Sequence, residues 1–249
     1  MVSKRLGHGL VALSSTKALL VGGSFGTGTL STAELWDATT GTFATTCAMG
    51  APRVETKPHL LSTGKVLVAG GSTTTGGTIV GLSTAELYDP VAGTFAATGS
   101  MARQRRSNGI APVVWTTPPG KPVIYGGVSG AASTPAFETY STAEAYDTVG
   151  GTSIALSPTM AVPRRGLTAT PLASGAVLIA GGGSTSAEIH TTTGTYAATA
   201  APMATARTYD RPRASRTAAS SSPAAHRPSR SRRPRSSTPP RTPSRRVRR

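Results

Sequence analysis

The chain repeats itself, and that limits its fold more than any other feature. Five times it writes Met-x-x-x-Arg, at Met1 and Arg5, Met49 and Arg53, Met101 and Arg105, Met160 and Arg164, and Met203 and Arg207. The first four are each followed by an apolar run ending in a glycine pair: Gly22-Gly23, Gly70-Gly71, Gly126-Gly127 and Gly181-Gly182. After a loop of varying length comes Ser-Thr-Ala-Glu, ending at Glu34, Glu86 and Glu144, with a shorter echo ending at Glu188. Trp36-Asp37, Tyr88-Asp89 and Tyr146-Asp147 follow, and a Gly-Thr step, usually with an aromatic (Phe43, Phe95, Tyr196), closes the unit. A period of about 50 residues signals an architecture in which one unit cannot bury its own faces and must stack on its neighbours.

Within a unit the local chemistry predicts four short strands. "TATPLASGAVLIAGG" places Thr- and Val-rich segments on either side of Ser174-Gly175, a small-residue turn suited to a hairpin, and "LLSTGKVLVAGG" repeats the pattern around Thr63-Gly64. "AELYDPVAGTFAAT" reads as a second hairpin, with Asp89-Pro90 and Gly93 in the turn and Tyr88 and Phe95 as flanking bulk. Two hairpins make one four-stranded antiparallel sheet, and radial stacking of such sheets gives a propeller. The expected fold class is therefore all-β, with units at approximately 1–48, 49–100, 101–159 and 160–208.

The glycine pair, the Glu-x-Tyr-Asp segment, the later aromatic and the Met-x-x-x-Arg together resemble kelch repeats, over almost all of residues 1–208. The resemblance implies a kelch-type β-propeller, here an incomplete or open one, acting as a non-catalytic scaffold for a protein or acidic peptide. It also implies that Arg5, Arg53, Arg105, Arg164 and Arg207 lie at the loops joining blades, near the channel mouth, as candidates for a ring gripping acidic groups. The departures are Phe, Tyr or no aromatic where the family has Trp, and Ile189-His190 where Tyr-Asp is expected. Some kelch-like propellers are copper oxidases, so a relic of a galactose-oxidase-like enzyme is the alternative. That chemistry needs a crosslinked Cys-Tyr pair and two His ligands, and Cys47 has no such set in the sequence.

Binding surfaces are also legible in loop length. Between glycine pair and Ser-Thr-Ala-Glu the third unit inserts residues 128–140, and such insertions cluster on one face of a repeat protein, often the recognition face. Phe137 and Tyr140 are expected to give that loop apolar grip. The recurrent Glu34, Glu86, Glu144 and Glu188 read instead as structural, because a buried carboxylate needs backbone donors or a neighbouring Arg. The four histidines fall at unrelated phases without a Cys or carboxylate at metal-ligand spacing, so no metal or other cofactor is expected. The single Cys47 can form no internal disulfide and reads as a buried thiol.

The net charge of +16 is unevenly placed. Residues 1–208 carry 13 Lys and Arg against 9 Asp and Glu, whereas residues 209–249 carry 13 Arg against Asp210 alone. A Pro-, Ser- and Arg-rich segment with few apolar residues predicts disorder, and a charge run of this kind binds nucleic acid without specificity. A basic nucleic-acid-associated protein is thus a second alternative. No run approaches the roughly 18 apolar residues of a membrane span, and Ser14, Ser15, Thr16 and Lys17 interrupt any signal-peptide core, so localisation is not legible.

The tail has a further property. If the fifth unit keeps the spacing of the fourth, "TATPLASGAVLIAGG" falls opposite residues 211–225. Read one base early, a Ser codon TCN becomes NTC, which encodes only Phe, Leu, Ile or Val. Ser220, Ser221 and Ser222 then become three apolar residues opposite Val177, Leu178 and Ile179, while Ala224 and Ala225 can become glycines opposite Gly181 and Gly182. Arg233 to Thr238 can likewise spell Ser-Thr-Ala-Glu-Leu-Tyr, given an AGY codon at Ser236. The tail is expected to be kelch coding sequence read in the wrong frame.

Overall fold

The computed structural model describes residues 1–113, 121–130 and 138–208, all of which fall in one compact unit, Met1–Arg211. The described residues are all-β, without helix, and form a four-blade propeller arrangement. The first blade contains β1 (Gly9–Ala12), β2 (Lys17–Val21), the small hairpin β3 (Ser24–Phe25) and β4 (Gly28–Thr29), then β5 (Ala33–Asp37) and β6 (Thr42–Thr46). The second contains β7 (His59–Leu60), β8 (Val66–Ala69), the hairpin β9 (Ser72–Thr75) and β10 (Thr78–Gly81), then β11 (Ala85–Asp89) and β12 (Thr94–Thr98). The third is β13 (Gly109–Val113), β14 (Lys121–Tyr125), β15 (Ala143–Asp147) and β16 (Thr152–Ala155). The fourth is β17 (Leu167–Pro171), β18 (Val177–Gly181), β19 (Glu188–His190) and β20 (Tyr196–Ala198). Each blade is an antiparallel meander in chain order, so the main sheet of the first runs β1-β2-β5-β6. The first strands of neighbouring blades approach one another, β1 with β7 and β13 with β17, which places them innermost.

The second strand of a blade reads as an unbroken apolar run because both its faces are covered. In β8, Val66 and Val68 pack with Leu19, Val21 and Ala33 of the first blade and with Met49 at the junction, while Leu67 and Ala69 pack with Ile124 and Tyr146 of the third. The same logic joins the third blade (Val123, Tyr125) to the fourth (Met160, Leu167, Val177, Ile179). Three cores therefore lie between blades, and each fully buried Val, Leu or Ile contributes roughly 1.5–3 kcal/mol. Tyrosines of the Tyr-Asp segment stitch the outer edge: the Tyr88 hydroxyl meets Thr46 of the preceding blade at 3.0 Å, and Tyr146 meets Thr98 in the same way.

The turn chemistry expected from sequence also appears. Asp89 Oδ1 accepts from the amides of Val91 and Ala92, and these bonds hold its carboxyl below the usual carboxylate range. Gly93, at φ +69°, closes the loop by donating to the Asp89 carbonyl. In the fourth blade the strand register aligns His190-Thr191 with Tyr-Asp, one residue later than the Ile189-His190 expected from sequence; Thr191 thus stands where the aspartate is missing, and its hydroxyl accepts from the Thr195 amide at 3.2 Å.

Candidate functional site

The arginines of Met-x-x-x-Arg do not line a ring open to solvent. Arg5, Arg53, Arg105 and Arg164 are 6%, 0%, 1% and 0% exposed, and each is paired to the glutamate of its own repeat: Glu34, Glu86, Glu144 and Glu188, at 2.6, 2.9, 2.9 and 3.1 Å. One terminal nitrogen of each guanidinium donates to the carbonyl of the first glycine of the pair, at 2.7–2.9 Å for Gly22, Gly70, Gly126 and Gly181. The other donates to the hydroxyl of Thr32, Thr84, Thr142 or Ser186. The glutamates complete their shells with backbone amides, Glu86 accepting from Gly50 and Ala51. Burial works against the charge on Glu34, yet the amides of Val2 and Ser3 and the Arg5 guanidinium hold its carboxyl below the usual range. The expected acid-gripping ring is thereby corrected for these four: a guanidinium whose terminal nitrogens are bonded inside the fold presents neither to a ligand, and the unpartnered Nε of Arg5 is itself buried. Arg207 alone is exposed.

Tyr140 is corrected for a similar reason. Its backbone occupies the place that Leu30 and Leu82 hold in the first two blades, donating to the Gly127 carbonyl as they do to Gly23 and Gly71. It is 5% exposed, and its ring lies 5.0 Å from the Arg105 guanidinium and 5.2 Å from that of Arg103, a cation–π lid instead of an exposed contact. Phe137 lies outside the described residues. Cys47 is exposed where a buried thiol was expected.

The side chains that do meet a cavity sit two residues beyond the arginines. Gly7, Glu55, Ser107 and Gly166 share that position, and all four adopt the left-handed conformation, at φ +63°, +59°, +54° and +63°. They come together at the innermost strands. The Glu55 amide donates to the Gly7 carbonyl at 3.0 Å, and the Gly166 amide to the Ser107 carbonyl at 2.7 Å. In two blades glycine accepts this backbone freely; in the other two a side chain is held there against the preference of L residues. The Ser107 hydroxyl donates to Glu55 Oε2 at 2.7 Å, and Arg106 approaches the same oxygen at 3.7 Å. A cavity of about 380 Å³ opens over this ring, walled also by His8, Lys57, Leu10 and Pro58. Strained non-glycine backbone gathered at a cavity is a mark of a functional site. The signal was present in sequence as Arg-x-Gly, Arg-x-Glu, Arg-x-Ser and Arg-x-Gly, but position two carries no repeated residue type.

The start of the long loop, at Val128, is tied to the same face. Bridges from Leu6 to Ser24, Val54 to Ser72 and Arg106 to Val128 tie each blade-joining segment to the start of the loop after the glycine pair. The histidine of the fourth blade is elsewhere, inside the protein. His190 is stacked on Tyr196 at 4.4 Å, and its Nδ1 lies 2.8 Å from the Tyr125 hydroxyl. Burial pulls its pKa down to about 4. Among the described residues no three of His, Cys, Asp and Glu come together as a metal-holding group, and no helix is long and apolar enough to cross a membrane.

Among solved structures the fold is similar to that of YjhT, a kelch-type propeller protein, with a TM-score of 0.66 over 82% of this chain and 68% of that one. The two are 12% identical, so the likeness concerns the β-propeller fold. No protein-family model and no curated protein matches the sequence.

Proposed function

We propose that this chain is a kelch-type, non-catalytic binding scaffold, and that it takes an acidic peptide or protein segment at the axial mouth. The observation that carries the reading is the Glu55–Ser107 pair, two side chains fixed in left-handed backbone at the floor of a cavity where the other blades have glycine. Their bond orients the Glu55 carboxylate toward Ser107 and Arg106, leaving the exposed Lys57 as a cation at the rim. Leu10 and Pro58 supply an apolar wall beside it. Loops that vary on a rigid frame are where recognition resides, and Val128, where the long loop of the third unit starts, is tied to this face. Residues 209–249 enter the reading as kelch coding sequence out of frame, which the nucleotide sequence of the gene tests directly.

Binding is tested with a fluorescein-labelled glutamate-rich peptide on the full chain and on Lys57→Glu and Ser107→Ala. The Arg-rich tail adds the same background to all three proteins, so the difference between them is the readout. Lys57→Glu is expected to weaken binding by about tenfold, equal to roughly 1.4 kcal/mol. Unchanged affinity in both variants would move the site away from the mouth.

A further inference from the structure

We infer that the outer flank of the fourth blade is an interaction surface for a fifth blade, with Arg207 as the first half of a fifth buried ion pair. The backbone already enters that repeat. Met203 donates its amide to the Thr185 carbonyl at 2.7 Å, as Met49, Met101 and Met160 do to Ser31, Ser83 and Ser141 at 2.9, 2.8 and 3.0 Å. The Arg207 carbonyl accepts from Gly183 at 2.8 Å, as those of Arg53, Arg105 and Arg164 accept from Gly23, Gly71 and Gly127 at the same distance. In the fourth blade this bond falls one residue later in the glycine run, because Ser184 follows at once and itself bridges to Arg207.

The side chain departs from the series. Four arginines are buried on a glutamate that lies 29, 33, 39 and 24 residues downstream. Arg207 is exposed, and the sequence after it contains no glutamate, only Asp210. The apolar positions of that flank match: Leu178 stands where the second blade has Leu67, yet Leu67 is 0% exposed and Leu178 is half-buried. A buried charge is stable only when paired, so the occupant that completes this site must bring a carboxylate to Arg207 and an apolar face to Leu178.

A blade of the same design does both. Its source is the out-of-frame segment, and for the occupant's identity the inference rests on that reading. Ser236 lies 29 residues after Arg207, the separation of Glu34 from Arg5. An AGY codon there, read one base early, ends in AG and encodes glutamate when preceded by G.

Four measurements separate the outcomes. The gene sequence comes first: a codon other than glutamate at position 236 of the alternate frame overturns the frame reading. Next, Arg207→Ala and Arg164→Ala are compared in the chain as it stands and in a chain with the frame restored near Tyr209. The expected result is that Arg207→Ala lowers Tm by roughly 10 °C in the restored chain, as Arg164→Ala does, and shifts it by about a degree or less in the present one. If the gene encodes the glutamate and Arg207→Ala is neutral in both, the inference falls while the frame reading stands. Should the alanine variants fail to fold, tryptic cleavage after Arg207 in the two parent chains decides, with protection only in the restored chain supporting the inference and equal rates overturning it. Sedimentation covers the remaining occupant: a dimer of the present chain that Arg207→Glu dissociates would assign the flank to a second copy instead.

Discussion

Arg53 and Glu86 meet at 2.9 Å with both side chains out of water, and between them they tie the start of the second repeat to its third main strand. Burial pulls the Arg53 guanidinium below its usual pKa, and Glu86 opposes that shift. Truncating one member leaves the other charged, buried and alone. Arg53→Ala is therefore expected to cost about 3–5 kcal/mol, whereas replacing the pair with Met and Leu costs less. Urea unfolding of the three proteins measures both. A neutral Arg53→Ala would return the arginine to the solvent-facing role that the sequence suggested.

A Cβ on Gly70 would stand 2.2 Å from the carbonyl oxygen of Arg105, on backbone at φ +68°. Gly76, at φ +57°, has nothing within 4 Å. Alanine at Gly76 meets only the conformational cost, about 1–2 kcal/mol. At Gly70 it must also push two blades apart, so the loss is expected to exceed that of Gly76→Ala clearly in the same unfolding measurement. Equal losses would mean that the glycine pair is kept for its φ alone.

Glu55→Gly removes a side chain from left-handed backbone and also breaks its bond to Ser107. The two changes oppose each other at about 1 kcal/mol apiece, so Tm should move little. Binding at the mouth should nonetheless change, because the Glu55 carboxylate also faces Arg106. A large fall in Tm would make Glu55 part of the scaffold and not of the site.

His190 should make stability pH-dependent. Its folded pKa of about 4 lies below the ordinary 6.5, so the unfolded chain binds the extra proton first as pH falls. Stability is full above pH 6.5, declines from there to about pH 4, and has no further contribution from this group below that. Burial also lowers the pKa of His59, which adds to the decline in the same direction. His190→Tyr, which restores the residue type of the second and third blades, should flatten the Tm profile across that window. An unchanged slope would assign it to other groups.

The fold was legible because its markers recur. Glycine pairs, turn aspartates and apolar runs each have one local physical cause, and repetition separated that cause from chance. The ion pairs were half legible: Glu34 and its counterparts read as structural, yet their partners were taken for a binding ring. Sequence phase places Arg53 at a blade junction but does not tell which way its side chain turns. Tyr140 failed for a different reason, since an aromatic in a long loop looks like a grip until its alignment with Leu30 and Leu82 is known. The mouth was invisible because a ring of Gly, Glu, Ser and Gly is united by backbone angle and by nothing in its chemistry.

Each of the three cores described here joins only adjacent blades, and each of the four buried Arg–Glu pairs closes within one repeat. Damage to such a gene is absorbed module by module. Losing a unit at the edge of such a series removes one junction and leaves the earlier ones intact, whereas the same loss from a protein with one shared core would open that core throughout.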